Sequence, residues 1–159
     1  NSVVIEYIAT DDQSGDILSD TTRMNPPQGR DNYFNHHIYL MGWTQDYRSM
    51  GTPLITSPVY NDDPGEGVVS NRVRALHLGV SGRIAGIDYR FLFTHSLNKG
   101  SYAYPLDEYS RDNLILLGLA RENLFGKNTR LSVEFGMDRG DFYGDNYGMM
   151  VKWRKEFGI

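Results

Sequence analysis

Three stretches of the chain place a large apolar residue at every second position: Ile87, Tyr89, Phe91, Phe93; Leu131, Val133, Phe135, Met137; and Tyr147, Met149, Val151, Trp153. Side chains alternate across a strand, so each stretch predicts a β-strand with one continuous apolar face and one mixed face. The mixed faces carry charge. Arg130, Ser132, Glu134 and Asp138 interleave the second run, and Gly148, Lys152, Arg154 and Glu156 the third. A wall with hydrocarbon on one side and water or ion-paired side chains on the other calls for this pattern, and transmembrane β-barrels are built from such strands.

The connections alternate in length. Strands at 74–80 and 87–97 are joined by the short turn 81–86, which carries two glycines. A long polar link, 98–111, precedes a strand at 113–121, a short turn at 125–128 and the strand 130–138; residues 139–145 then lead into the last strand. Short periplasmic turns and longer outer loops are the barrel asymmetry, which puts the tyrosine-rich links outside the cell. With Arg83 and Ile84 at the turn centre, Val80 faces Ile87, Leu78 faces Tyr89 and Leu76 faces Phe91, leaving His77 opposite Arg90 and Gly79 opposite Asp88. In the last hairpin Glu134 is expected directly or diagonally across from Lys152, and Arg130 near Glu156. Together with Arg90 these predict a lumen crossed by ion pairs. The stretch Leu114 to Leu119 is apolar on both faces, which marks a place where the inside of the wall is packed against something.

Ser2 to Ala9 reads as a further strand, with Val3, Ile5, Tyr7 and Ala9 on one face. Residues 10–70 show little strand periodicity and many Asp, Asn, Gly and Pro, and long irregular segments are functional or disordered. Pattern alone leaves open whether residues 34–57 add a strand. The expectation is an all-β, antiparallel transmembrane β-barrel of which residues 1–159 supply about six or seven C-terminal strands, fewer than the ~8 of small barrels, so that the N-terminal part of the barrel lies elsewhere. No secretory leader is legible at the start.

Composition narrows the function. A net charge of −4 gives nucleic acid no broad basic surface. The chain has no cysteine, which removes disulfides and thiolate metal sites. No apolar run approaches the ~20 residues of a membrane helix. Its negative mean hydropathy is compatible with a barrel, where only alternate residues meet lipid. The 17 glycines, 11 tyrosines and 7 phenylalanines suit tight turns and interfacial aromatic girdles.

Phe34-Asn35-His36-His37-Ile38-Tyr39, followed by Gly42-Trp43 and then Arg48 and Gly51, resembles the C-terminal half of the Wzi family of capsule-assembly outer-membrane proteins. Val3 to Tyr7 ahead of this segment and His77-Leu78-Gly79 after it occur in the expected order. The resemblance implies a large, plugged barrel in the bacterial outer membrane that holds capsular polysaccharide at the cell surface without catalysis. Implied partners are the polysaccharide, outer-membrane lipid, the missing N-terminal part of the same barrel and other outer-membrane proteins.

The glycan-contact candidates are Asn35, His36, His37, Tyr39 and Arg48, together with Tyr102, Tyr104 and Tyr143, whose rings offer apolar faces with polar tips. Interface tyrosines of any barrel, Tyr109 and Tyr147 included, have the same look. The His36-His37 pair is a weak metal site, because neighbours on extended chain point opposite ways. The acidic stretch 61–67 lacks the ligand spacing of a calcium loop. Ser96 beside His95 cannot form a dyad for the same geometric reason, and no other catalytic constellation is found, so neither an enzyme nor a cofactor is expected. A porin or accessory barrel subunit is one alternative. A soluble carbohydrate-binding β-sandwich is another, and it requires a second sheet over the apolar face.

Overall fold

The computed structural model describes residues 1–11, 32, 34–36, 38–39 and 41–157. Its strands are β1 (Ser2–Ala9), β2 (Thr44–Gln45), β3 (Arg48–Ser49), β4 (Val73–Ile84), β5 (Ile87–Gly100), β6 (Pro105–Glu122), β7 (Thr129–Gly140) and β8 (Asn146–Lys155). Two 3-10 turns, Pro58–Tyr60 and Pro64–Glu66, are the only helical backbone among the described residues. The protein is all-β, as the alternation predicts. Six strands form one antiparallel sheet in the order β1-β4-β5-β6-β7-β8, and β2 and β3 form a small ladder apart from it. Among the described residues, 34–57 therefore add no strand to the main sheet, and β1 lies directly beside β4 although residues 10–72 intervene.

Contacts divide the chain into two compact units, Asn1–Tyr7 with Leu76–His95 and Arg111–Ile159, and Ile8–Ala75 with Ser96–Ser110. In the first unit the register fixes both faces. Leu131 pairs with Trp153, Val133 with Val151, Phe135 with Met149 and Met137 with Tyr147. On the other flank Leu119 pairs with Val133, Leu117 with Phe135 and Ile115 with Met137. These residues form one apolar face, and it is uncovered: Leu119 is 46% exposed, Phe135 42% and Met149 72%. Among the described residues the buried hydrophobic core, Ile55, Val68, Val73 and Ala75, belongs to the second unit, and the large apolar side chains on this face of the first unit stay partly exposed.

The β4–β5 hairpin departs from expectation in register but not in facing. Its turn is Ala85-Gly86, with φ of 50° and 77°, the positive pair of a two-residue type I′ turn. Arg83 meets Asp88 at 2.5 Å and His77 meets Thr94 at 2.7 Å, so His77 faces Thr94 and not Arg90. The pairing has slid by an even number of residues, which changes every partner and leaves every side chain on its own face.

The polar link expected at 98–111 is mostly strand. Only Ser101 to Tyr104 connect β5 to β6, closed by the Ser101 N–H donating to the Tyr104 carbonyl at 3.1 Å. The backbone ladder continues through polar side chains because its partner continues: the Arg72 N–H donates to Gly100 O at 3.0 Å, and the Lys99 N–H to Arg72 O at 2.9 Å. Backbone pairing is indifferent to side-chain polarity, so polarity alone misplaced this boundary.

The second unit has its own small core. Ile55, Val68, Val73 and Ala75 are buried together, with Phe34 and Leu54 packed against them. Asn35 ties the segment down twice, its Nδ2 donating to Val68 O at 2.7 Å and its Oδ1 accepting from Val68 N at 2.9 Å. The Thr10 hydroxyl donates to Asn71 O at 2.6 Å and accepts from Val73 N at 2.8 Å. Gly42, at φ 52°, lets the Trp43 N–H reach Phe34 O at 2.8 Å; a Cβ there collides with that same carbonyl. Within the stretch expected to be irregular, the described residues Phe34, Leu54, Ile55 and Val68 thus pack on a small core.

Candidate functional site

Two arrangements bring chemistry together, one in each unit. On the polar face of the first unit, antiparallel register puts Glu122, Arg130 and Arg154 in one row and Ala120, Ser132 and Lys152 in the next. Arg130 pairs with Asp88 at 3.0 Å and with Glu122, while Arg90 donates to Glu134 at 2.8 Å. Glu134, diagonal to Lys152 in the register, pairs with Arg90 across β5 and β7, and Glu156 pairs with Arg154 at 3.2 Å. The reason is geometric: Glu134 stands directly opposite Gly118, which has no side chain to block the reach to Arg90, whereas Lys152 is only a diagonal neighbour. Asp88, Arg90, Arg130, Glu134 and Lys152 line a cavity of about 350 Å³ together with Gly118, Ala120 and Met150.

The second arrangement is aromatic. β2 and β3 form a tight hairpin around Asp46 and Tyr47, whose φ values of 47° and 60° close the turn. The hairpin continues as the Met50 N–H donates to Trp43 O at 3.0 Å, and the Val59 N–H docks on Tyr47 O at 2.9 Å. This backbone framework carries the rings of Trp43 (67% exposed) and Tyr47 (48%), with Tyr60 (68%) next to the docked Val59. The Ser57 hydroxyl accepts from Ser49 N at 3.0 Å, fixing the hairpin against the first 3-10 turn. Exposed rings on a rigid support are what stacking on an apolar sugar face requires.

The residues singled out from sequence have different fates. Asn35 spends its amide holding Val68. His36 is exposed, its Nδ1 accepting from the N–H groups of Ile38 and Tyr39 at 3.1 and 3.2 Å, with the Tyr39 ring 5.2 Å away. His37 lies outside the described residues. Tyr39 and Arg48 are exposed and stay available for contact. Tyr102 is an anchor: its hydroxyl donates to Asp11 O at 3.2 Å and its ring lies 4.5 Å from the Arg72 guanidinium carbon. Tyr104 is exposed beside Ser101. The Tyr143 backbone N–H is held by the buried Asp112, and its ring packs edge-on to Phe142.

Trp43, Tyr47 and Tyr60 were absent from the sequence-derived site. The signal for the first two was a turn flanked by the short polar segments Thr44-Gln45 and Arg48-Ser49. Among the described residues no cluster of His, Cys, Asp and Glu could hold a metal. Comparison with known protein families, with curated proteins and with solved structures finds no match.

Proposed function

We propose that the chain is part of the wall of an outer-membrane β-barrel of Wzi type, which attaches capsular polysaccharide at the bacterial cell surface without catalysing a reaction. The observation that carries the membrane reading is the uncovered apolar face, continuous from Leu119 through Val133 to Val151, backed by an opposite face of ion pairs. Lipid satisfies the first and an aqueous lumen the second. Among the described residues the first unit holds a single sheet whose apolar face stays exposed, which weighs against a soluble sandwich. The outward residues of β8 support the reading further, since Tyr147 and Trp153 bracket Met149 and Val151 in the manner of interfacial aromatic girdles. Further barrel strands would pair with the open edges of β1 and β8, whose unpaired backbone groups no membrane tolerates.

The glycan reading rests on the resemblance around residues 34–51 and on the exposed rings of Trp43, Tyr47 and Tyr60, with Tyr39 and Arg48 nearby in sequence. Tyr102 and Tyr143 serve the loops that carry them. The test is the double variant Trp43→Ala, Tyr60→Ala in capsulated cells. Cell-bound capsule should fall and shed capsule rise at unchanged protein level. Unaltered partition between cells and medium refutes this assignment.

A further inference from the structure

The polar face of β7 and β8 holds an imbalance that its ion pairs do not remove. Arg130 stands directly opposite Arg154, and Ser132 directly opposite Lys152. Like charges so opposed repel, and Lys152, one step along β8's polar face, adds a third cation diagonal to Arg130. Carboxylates answer the first two from elsewhere: Glu122 and Asp88 meet Arg130, and Glu156 meets Arg154 at 3.2 Å. Glu134, the diagonal neighbour of Lys152, is taken by Arg90 at 2.8 Å. Among the described residues Lys152 has no carboxylate within ion-pair distance. Between these side chains lies a cavity of about 80 Å³ lined by Arg130, Ser132, Lys152 and Arg154 alone. Each lining side chain carries hydrogen-bond donors, and three of the four are cationic. The volume exceeds that of two waters at ~30 Å³ each and suits one small oxyanion.

The geometry points to a binding site for a tetrahedral oxyanion, phosphate or sulfate, at this corner of the sheet. The anion accepts from the Lys152 ammonium, the Ser132 hydroxyl and the Arg154 guanidinium, and its charge screens Arg130 from Arg154. Charged donors in a fork of this kind are the usual recognition chemistry for such groups. The inference uses only the polar face and stands whether or not the other face meets lipid.

The experiment is calorimetric titration of the purified chain, at fixed ionic strength, with inorganic phosphate, sulfate and glucuronate in separate arms. The first two should bind with one site per chain. Lys152→Gln should weaken them at least about tenfold, as expected for loss of a charged hydrogen bond, whereas Lys155→Gln, on the opposite face of β8, should not. Arg154→Glu replaces the cation directly opposite Arg130 with a carboxylate, so it should abolish binding and raise the anion-free Tm. No phosphate or sulfate binding to the native chain, binding of glucuronate alone, or a Lys152→Gln titration like that of the native chain each overturns the assignment. An Arg154→Glu chain that still binds does so too.

Discussion

Val151 and Met150 are neighbours on β8 with nearly equal exposure, 58% and 54%, but they face opposite sides of the sheet. Arginine at either site therefore separates a lipid-facing wall from a water-facing one. Val151 stands opposite Val133, which pairs in turn with Leu119, and it lies between Tyr147 and Trp153 near the middle of a strand of 10 residues. That length matches the ~9–11 residues of a membrane-crossing strand. Were both faces in water, the two substitutions at half-exposed positions would each fall within about 0.5 kcal/mol of the native chain. With the apolar face in a bilayer, Val151→Arg costs ~2–4 kcal/mol, roughly a 30- to 700-fold change in the folded-to-unfolded ratio at 1.4 kcal/mol per tenfold. Met150→Arg places its charge on the polar face opposite Glu134 and should remain close to native. Urea titration of chains refolded into phosphatidylcholine vesicles, followed by fluorescence of Trp43 and Trp153, reads the difference. Equal destabilisation of the two variants, within about 0.5 kcal/mol, refutes the assignment of the apolar face to lipid.

Asp112, 2% exposed, accepts from the N–H groups of Phe142 and Tyr143 at 3.1 and 3.4 Å, so Asp112→Ala should cost about 1–3 kcal/mol and abolish hydrogen-exchange protection at 142–143 while leaving the β7–β8 ladder protected. Asn35→Ala removes both bonds to Val68 and should loosen the small core of the second unit, read as faster proteolysis between residues 41 and 70 with the six-stranded sheet still resistant. Ala85 holds φ 50°, a conformation that costs an L-residue roughly 1–2 kcal/mol and that Asn tolerates better. Ala85→Asn, which creates the preferred type I′ pair with Gly86, should therefore raise the urea midpoint, and a lowered midpoint would refute the turn assignment.

What sequence made legible was facing, because alternation is a property of single strands. Leu131, Val133, Phe135 and Met137 lie on one side and Arg130, Ser132 and Glu134 on the other, as the period of two requires. Partners were harder to read, because they depend on where a turn closes. Ala85-Gly86 carries no Asn or Asp to announce a type I′ turn, and the glycine Gly82 drew the expected centre toward Arg83 and Ile84. The ends of β5 and β6 were missed for a different reason: residues 98–100 and 105–112 pair through their backbones while their side chains read as loop. The hairpin that carries Trp43 and Tyr47 stayed hidden because a two-residue ladder is too short to produce periodicity.

One further detail of the outward face supports the proposed membrane reading. On β6 the apolar residues Ile115, Leu117 and Leu119 are bounded by Asn113 at one end and Arg121 at the other. At the first boundary the neighbouring strands also turn polar: the His95 ring nitrogen Nδ1 is 2.9 Å from Asn113 Oδ1, and Arg139 stands opposite Asn113. Polar side chains of three adjacent strands, His95, Asn113 and Arg139, thus stand side by side on this face. Asn113 and Arg121 are separated by roughly 26 Å along a strand, or about 20 Å along the membrane normal at a tilt of about 40°, against the ~25 Å apolar band of outer-membrane barrels. At the other boundary Arg121 stands level with Leu131 and Trp153, so the apolar face runs on across β7 and β8 beyond the end of the β6 run.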